Sequence, residues 1–139
     1  MIGIVIVAHG GLAREYLAAM EHVVGKAPGT AAVSIDADDD CGSKQAEIDA
    51  AVASVDQGEG VVVVTDMFGS TPSNLAMGAC RKTANRRVLY GANLPLLVKL
   101  AKARHKPLND AVASALTAGR KYINSSDGFG PNGAPPIPV

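Results

Sequence analysis

The sequence predicts an α/β fold: a doubly wound, mainly parallel four-stranded sheet with helices on both faces. Three observations predict it. Runs of apolar, largely β-branched residues without a polar side recur at residues 2–8, 31–35 and 61–65, with a fourth strand-like stretch at 87–92; strands covered on both faces read this way. Segments with apolar residues at helical spacing lie between them. The links are short, and strand-helix alternation with short links leads to parallel strands joined by right-handed crossovers.

The first strand, residues 2–8, ends at His9, and Gly10 and Gly11 follow without side chains to crowd the ring. Leu12, Tyr16, Leu17, Met20, Val23 and Val24 then mark an amphipathic helix stopped by Gly25, whose N-terminal amides point back at the histidine. After the Pro28-Gly29 turn and the second strand comes the acidic loop 36–40. Several close carboxylates suit a hard cation, but negative charge also suits the start of a helix, and the capping reading is preferred. Residues 42–55 form the second helix, with Ile48, Ala51, Val52 and Val55 inward and Gly58 and Gly60 beyond its end.

The third strand, Val61 to Thr65, ends at Asp66 as the first ended at His9. After the loop 67–70, Thr71 is expected as an N-cap with Pro72 at the first helical position, and the small residues Ala76, Gly78, Ala79 and Cys80 let that helix lie close on the sheet. Asn93-Leu94-Pro95 begins a fourth helix, and a fifth runs from about Pro107 to Gly119. Residues 120–123 have strand character. The domain is expected to span residues 1–123, with 124–139, rich in Gly, Pro, Ser and Asn, a disordered tail.

Composition narrows the function. A chain of 139 residues makes one domain with a real core and no room for a second. Thirteen basic against thirteen acidic residues, with few aromatics and no Trp, gives neither the basic field nor the stacking platforms of a nucleic-acid binder. Cys41 and Cys80 lie far apart and outside any CxxC pattern, as reduced thiols of a cytoplasmic protein do. No apolar run approaches the roughly 18 residues of a membrane helix, so no direct membrane insertion is expected, and neither cofactor nor metal is called for.

Function in a doubly wound sheet gathers at the carboxyl ends of the strands, and His9, Asp36, Asp66 and Asn93 lie at such ends. A histidine at a strand end is commonly structural, and the other three ends are what favour chemistry here. If the first and third strands are neighbours, Asp66 meets His9. A carboxylate bonded to one imidazole nitrogen fixes the tautomer and leaves the other nitrogen a lone pair that can attack. Helix N-terminal amides after Gly10 and after Thr71 can hold the oxygens of a phosphoryl group. The expected site is a phosphohistidine at His9, oriented by Asp66, with Gly10, Gly11, Gly69, Ser70 and Thr71 around the phosphate. His22 and His105 lack such surroundings and read as surface residues.

Three stretches carry a resemblance: residues 4–10 (Ile-Val-Ile-Val-Ala-His-Gly), 65–74 (Thr-Asp-Met-Phe-Gly-Ser-Thr-Pro-Ser-Asn) and 91–95 (Gly-Ala-Asn-Leu-Pro). In this order and at these intervals the chain resembles, over about residues 1–123, the mannose-type enzyme IIA proteins of the bacterial phosphoenolpyruvate-dependent sugar phosphotransferase system. The resemblance implies that His9 accepts phosphate from the histidine phosphocarrier protein and passes it to a IIB component for sugar uptake, with Thr71 at the hydroxyl position near the phosphate. It also implies a homodimer in which residues 120–123 add an antiparallel edge strand to the partner's sheet. Ala8 stands where the family often has Ser or Thr, and Ser70 where it often has a second Gly. A fused IIB domain has no room, so the IIB partner is expected to be a separate protein.

Other classes fit less well. A receiver domain would place an acidic pair, not His9-Gly10, at the end of the first strand to hold magnesium. No GxGxxG or GxxxxGK[ST] follows any strand, against a nucleotide-binding domain. A regulatory binding module switched by phosphorylation of His9 is compatible with the same residues.

Overall fold

The computed structural model describes residues 1–81 and 83–127. Residues 128–139, most of the expected tail, lie outside the described residues. Four strands, β1 (Gly3–His9), β2 (Thr30–Ile35), β3 (Val61–Thr65) and β4 (Arg86–Leu89), alternate with α1 (Leu12–Val24), α2 (Cys41–Val55), α3 (Thr71–Cys80), α4 (Leu94–Lys102) and α5 (Leu108–Lys121). The sheet is parallel in the order β2-β1-β3-β4. The expected fold class is therefore the observed one.

Alternation of side chains along β1 and β3 divides the core into two. Ile4, Ile6, Ala8, Val62 and Val64 pack with α1, α4 and α5, whereas Val5, Val7, Val61 and Val63 pack with α2 and α3. Both central strands are buried along their hydrophobic length. Gly3 is required by contact, since a Cβ there would lie 2.4 Å from the Val55 carbonyl oxygen.

Several boundaries differ from expectation, each for a local reason. Val23 is 52% exposed and Ala13 is buried instead, because the stripe facing the sheet runs through positions 13, 16, 17, 20 and 24, one helical face. The start of α2 agrees with the capping reading of the acidic loop: Asp40 is its N-cap, the carboxylate accepting from the Ser43 amide at 2.8 Å. Ser70, not Thr71, is the N-cap of α3: its extended backbone precedes the first turn, and the Ser73 hydroxyl accepts from its amide at 3.0 Å. Pro72 is thus the second helical residue, where its missing N–H also costs no helical bond. β4 begins at Arg86 and ends at Leu89, and Gly91, with φ +73°, turns the chain toward α4.

The largest correction concerns residues 120–123. Arg120 and Lys121 are the last turn of α5, not a strand, because they continue a helix whose final turn favours basic residues. Tyr122 and Ile123 follow outside any element and are more than half exposed. No described strand pairs with the outer edge of β2 or β4.

Candidate functional site

β1 and β3 are neighbours, so their carboxyl ends bring His9 and Asp66 together at the point where β1 also borders β2. The His9 Nδ1 lies 2.7 Å from Asp66 Oδ2, and the same oxygen accepts the His9 backbone N–H at 3.1 Å. One carboxylate oxygen therefore holds both the ring and the chain that carries it. Asp66 Oδ1 is buried and unpartnered among the described residues. The carboxylate side chain is 11% exposed and the imidazole 49%.

The second ring nitrogen, Nε2, has no hydrogen-bond partner among the described residues, since Nδ1 makes the ring's bond. Burial raises the Asp66 carboxyl, but the hydrogen bonds from the His9 ring and amide outweigh it and hold the group below its ordinary value. An ionised carboxylate favours an Nδ1–H facing it, and a neutral imidazole held in that tautomer carries its lone pair on Nε2.

His9 follows Val5 and Val7 in the alternation of β1, which places its ring on the α2 and α3 side. There it opens on a cavity of 320 Å³ bordered by Gly10, Asp36, Asp39, Cys41, Thr71 and Leu75. Of the expected phosphate-binding residues, Gly10 and Thr71 border this cavity. Gly10 takes φ +56°, and its amide donates to the Ile35 carbonyl at 2.9 Å, so the turn spends that donor on β2. Gly11 precedes α1 as its N-cap. Gly69, at φ +81°, turns the loop into α3, and the Ser70 hydroxyl donates to the Met67 carbonyl at 2.7 Å. Asn93 caps α4 through the Leu96 amide at 3.0 Å and donates to the Gly119 carbonyl at 2.8 Å. Both ends of its amide are structural.

Two carboxylates of the acidic loop are spent locally: Asp39 accepts the Asp36 amide at 2.7 Å, and Asp40 caps α2. No group of three metal-ligating side chains is assembled among the described residues. Cys41, exposed at the first turn of α2, and Leu75 of α3 were not foreseen at the site. Cys41 follows the acidic stretch after the second strand, and only the adjacency of β2 to β1 makes that position relevant. Cys80 sits in the α2/α3 core, where burial pushes its thiol up to about 11. Met67 and Phe68 project from the loop after Asp66, 57% and 71% exposed, with the Phe68 ring edge-on to Tyr90 at 4.9 Å.

Known proteins share this arrangement of elements. The chain is 26% identical over 126 residues to the mannose-specific EIIAB component of the phosphotransferase system (PTS) of Escherichia coli K12 and to that of Shigella flexneri. That match covers 89% of this chain but spans only 39% of the relatives' length. The mannose/sorbose-specific IIA subunit of Enterococcus faecalis superposes with a TM-score of 0.80 at 27% identity, covering 88% of this chain and 92% of that one. The EIIA component of Streptococcus agalactiae has the same fold, with a TM-score of 0.82 at 24% identity over 91% of this chain and 98% of that one. No described helix is long and apolar enough to cross a membrane. Residues 3–117 match the EIIA-man family, described as the PTS system fructose IIA component, and the chain belongs to that family.

Proposed function

We propose that the chain is a phosphocarrier in which His9 Nε2 takes a phosphoryl group from the histidine phosphocarrier protein and passes it to a histidine of a IIB component, serving sugar uptake. In each transfer one P–N bond breaks as another forms, and the imidazoles exchange the group without a cofactor. The observation that carries this reading is the double hold of Asp66 Oδ2 on His9, at 2.7 and 3.1 Å. It turns the free lone pair outward on a half-exposed ring and stabilises the positive charge that develops on phosphorylation.

Phosphoryl oxygens in the cavity would meet the Thr71 amide and hydroxyl at the start of α3, with Gly10 and Gly11 keeping the approach open and Gly69 and Ser70 shaping the opposite loop. The amides of Leu12 and Ala13, in the first turn of α1, have no helical partner and add to the positive end of that helix. Met67 and Phe68, exposed beside the site, suit the docking of protein donors and acceptors. Such relays work in the cytoplasm, where we place the chain. The edges of β2 and β4, which no described strand pairs, and the exposed Tyr122 and Ile123 support a homodimer as part of the same reading.

Incubation with phosphoenolpyruvate and the general phosphotransfer proteins tests the carrier role. The expected label is alkali-stable, acid-labile and absent from His9→Ala. Label that survives this substitution, or that alkali strips as from an acyl phosphate, rejects it. Light scattering tests assembly: a monomer at micromolar concentration removes the homodimer.

A further inference from the structure

The chain's charge is balanced in sum and divided in place. Ten of its thirteen lysines and arginines fall within residues 81–121, where Asp110 is the one carboxylate. This stretch supplies β4, α4 and α5. The two helices form an antiparallel hairpin, joined at one end by residues 103–107 and at the other by the Asn93 bond to Gly119. Leu96, Leu97, Leu100, Ala111 and Ala115 are buried against the sheet. Between the other sides of the helices lies a groove of 570 Å³, larger than the His9 cavity and sharing no residue with it.

Its walls are chemically divided. Pro95, Val98, Ala113 and Ala118 give an apolar surface, while Lys99, Lys102 and Lys121 supply charge, and no carboxylate borders it. None of these lysines forms an ion pair among the described residues. The Lys121 Nζ is 5.5 Å from the centre of the Tyr122 ring, which places that cation beside the groove.

We propose that the α4–α5 groove docks an acidic amphipathic helix of a partner protein. Apolar residues at i, i+3, i+4 and i+7 of the incoming helix cover the walls, and carboxylates flanking that stripe meet the three lysines. A membrane would favour a broad projecting apolar face, whereas Pro95, Val98, Ala113 and Ala118 line a groove, and only Tyr122 and the adjoining Ile123 project beside it. The end of this chain does not supply the complement, because residues 128–139 carry no charged side chain. A second copy offering its acidic loop, residues 36–40, would make a head-to-tail contact, not the two-fold contact of a homodimer.

The test uses the full chain and a fluorescein-labelled helical peptide of about 14 residues with leucines on one stripe and glutamates elsewhere, read by anisotropy and amide chemical shifts. Expected are shifts centred on Val98, Ala113 and Thr117, and weakening as salt rises. Lys99→Glu/Lys102→Glu/Lys121→Glu should lose at least about tenfold in affinity. Ala113→Tyr, which fills the groove at an exposed position without changing charge, should lose a similar factor. The proposal is overturned by no binding, by shifts centred elsewhere, or by equal affinity for a permuted peptide without the apolar stripe. Binding to vesicles with about 30% phosphatidylglycerol but not to the peptide, or self-association that buries this groove, overturns it equally.

Discussion

Asp66 receives two hydrogen bonds from one residue, so Asp66→Asn replaces its acceptor oxygens with an amide of the same shape and no charge. The fold should survive, while phosphoryl transfer slows by about 10² to 10⁴, the range seen when an orienting or proton-handling carboxylate is lost. A rate within twofold of wild type would break the link between this pair and transfer. The same carboxyl predicts a pH dependence. Its folded value lies below 3.8 because the His9 bonds outweigh burial. A depressed value adds stability that is fully present above the unfolded pKa and lost as pH falls through the folded one. Below about pH 4, as the folded carboxyl takes up its proton, wild type should lose stability more steeply than Asp66→Asn, which has no carboxyl to titrate there. Parallel acid unfolding curves for the two would count against it.

At the scale of elements, Asn93 shows how a residue at a strand end becomes structural. Its side chain caps α4 and holds the Gly119 carbonyl in the last turn of α5, joining two helices at the end of the sheet that carries His9. Asn93→Ala should cost about 1–2 kcal/mol, a lost cap together with an orphaned carbonyl. Urea unfolding of the purified variant measures this, and an unchanged midpoint contradicts it. At the other end of β1, Gly3→Ala forces a methyl into the Val55 carbonyl. Overpacking of this kind costs about 1–3 kcal/mol, read in the same assay.

Across the whole molecule, the two ends of the sheet do different work. The end with the strands' N-termini is held by Arg104, 4% exposed, whose Nε donates to the Ile2 carbonyl at 2.8 Å and Nη2 to the Gly29 carbonyl at 2.9 Å. The guanidinium thereby ties α4's exit to the start of β1 and the turn before β2. Arg104→Met should lower stability by about 2 kcal/mol, since charged hydrogen bonds to two buried carbonyls are lost and part of the burial is regained. Phosphorylation of His9 at a temperature where the variant is folded should be unaffected. A variant that folds normally but no longer accepts phosphate would show that the ends are coupled.

By itself the sequence determined the four strands and the five helices between and after them, the parallel sheet and the placement of His9 and Asp66 at strand ends, although its reading of residues 120–123 as strand was wrong. Those follow from local physics: continuous β-branched runs in residues 2–8 and 61–65, helical spacing in residues 12–24, and glycines where the chain must turn. The resemblance carried by residues 4–10, 65–74 and 91–95 anticipated the family. Which oxygen of Asp66 holds His9, and that it also takes the His9 amide, was decided only in the tertiary structure, because strand order joins residues 57 positions apart. The same long-range assembly spent the Gly10 amide on Ile35 and brought Cys41 and Leu75 to the cavity. Short-range competition was equally hard to read in the chain. Ser70 and Thr71 are both good caps, and Ser70 prevails because the Ser73 hydroxyl reaches its amide. Residues 120–121 continue α5 because Ala115, Ala118 and Gly119 keep that helix buried up to its last turn, where Gly119 lies against Leu96 of α4, a tertiary contact.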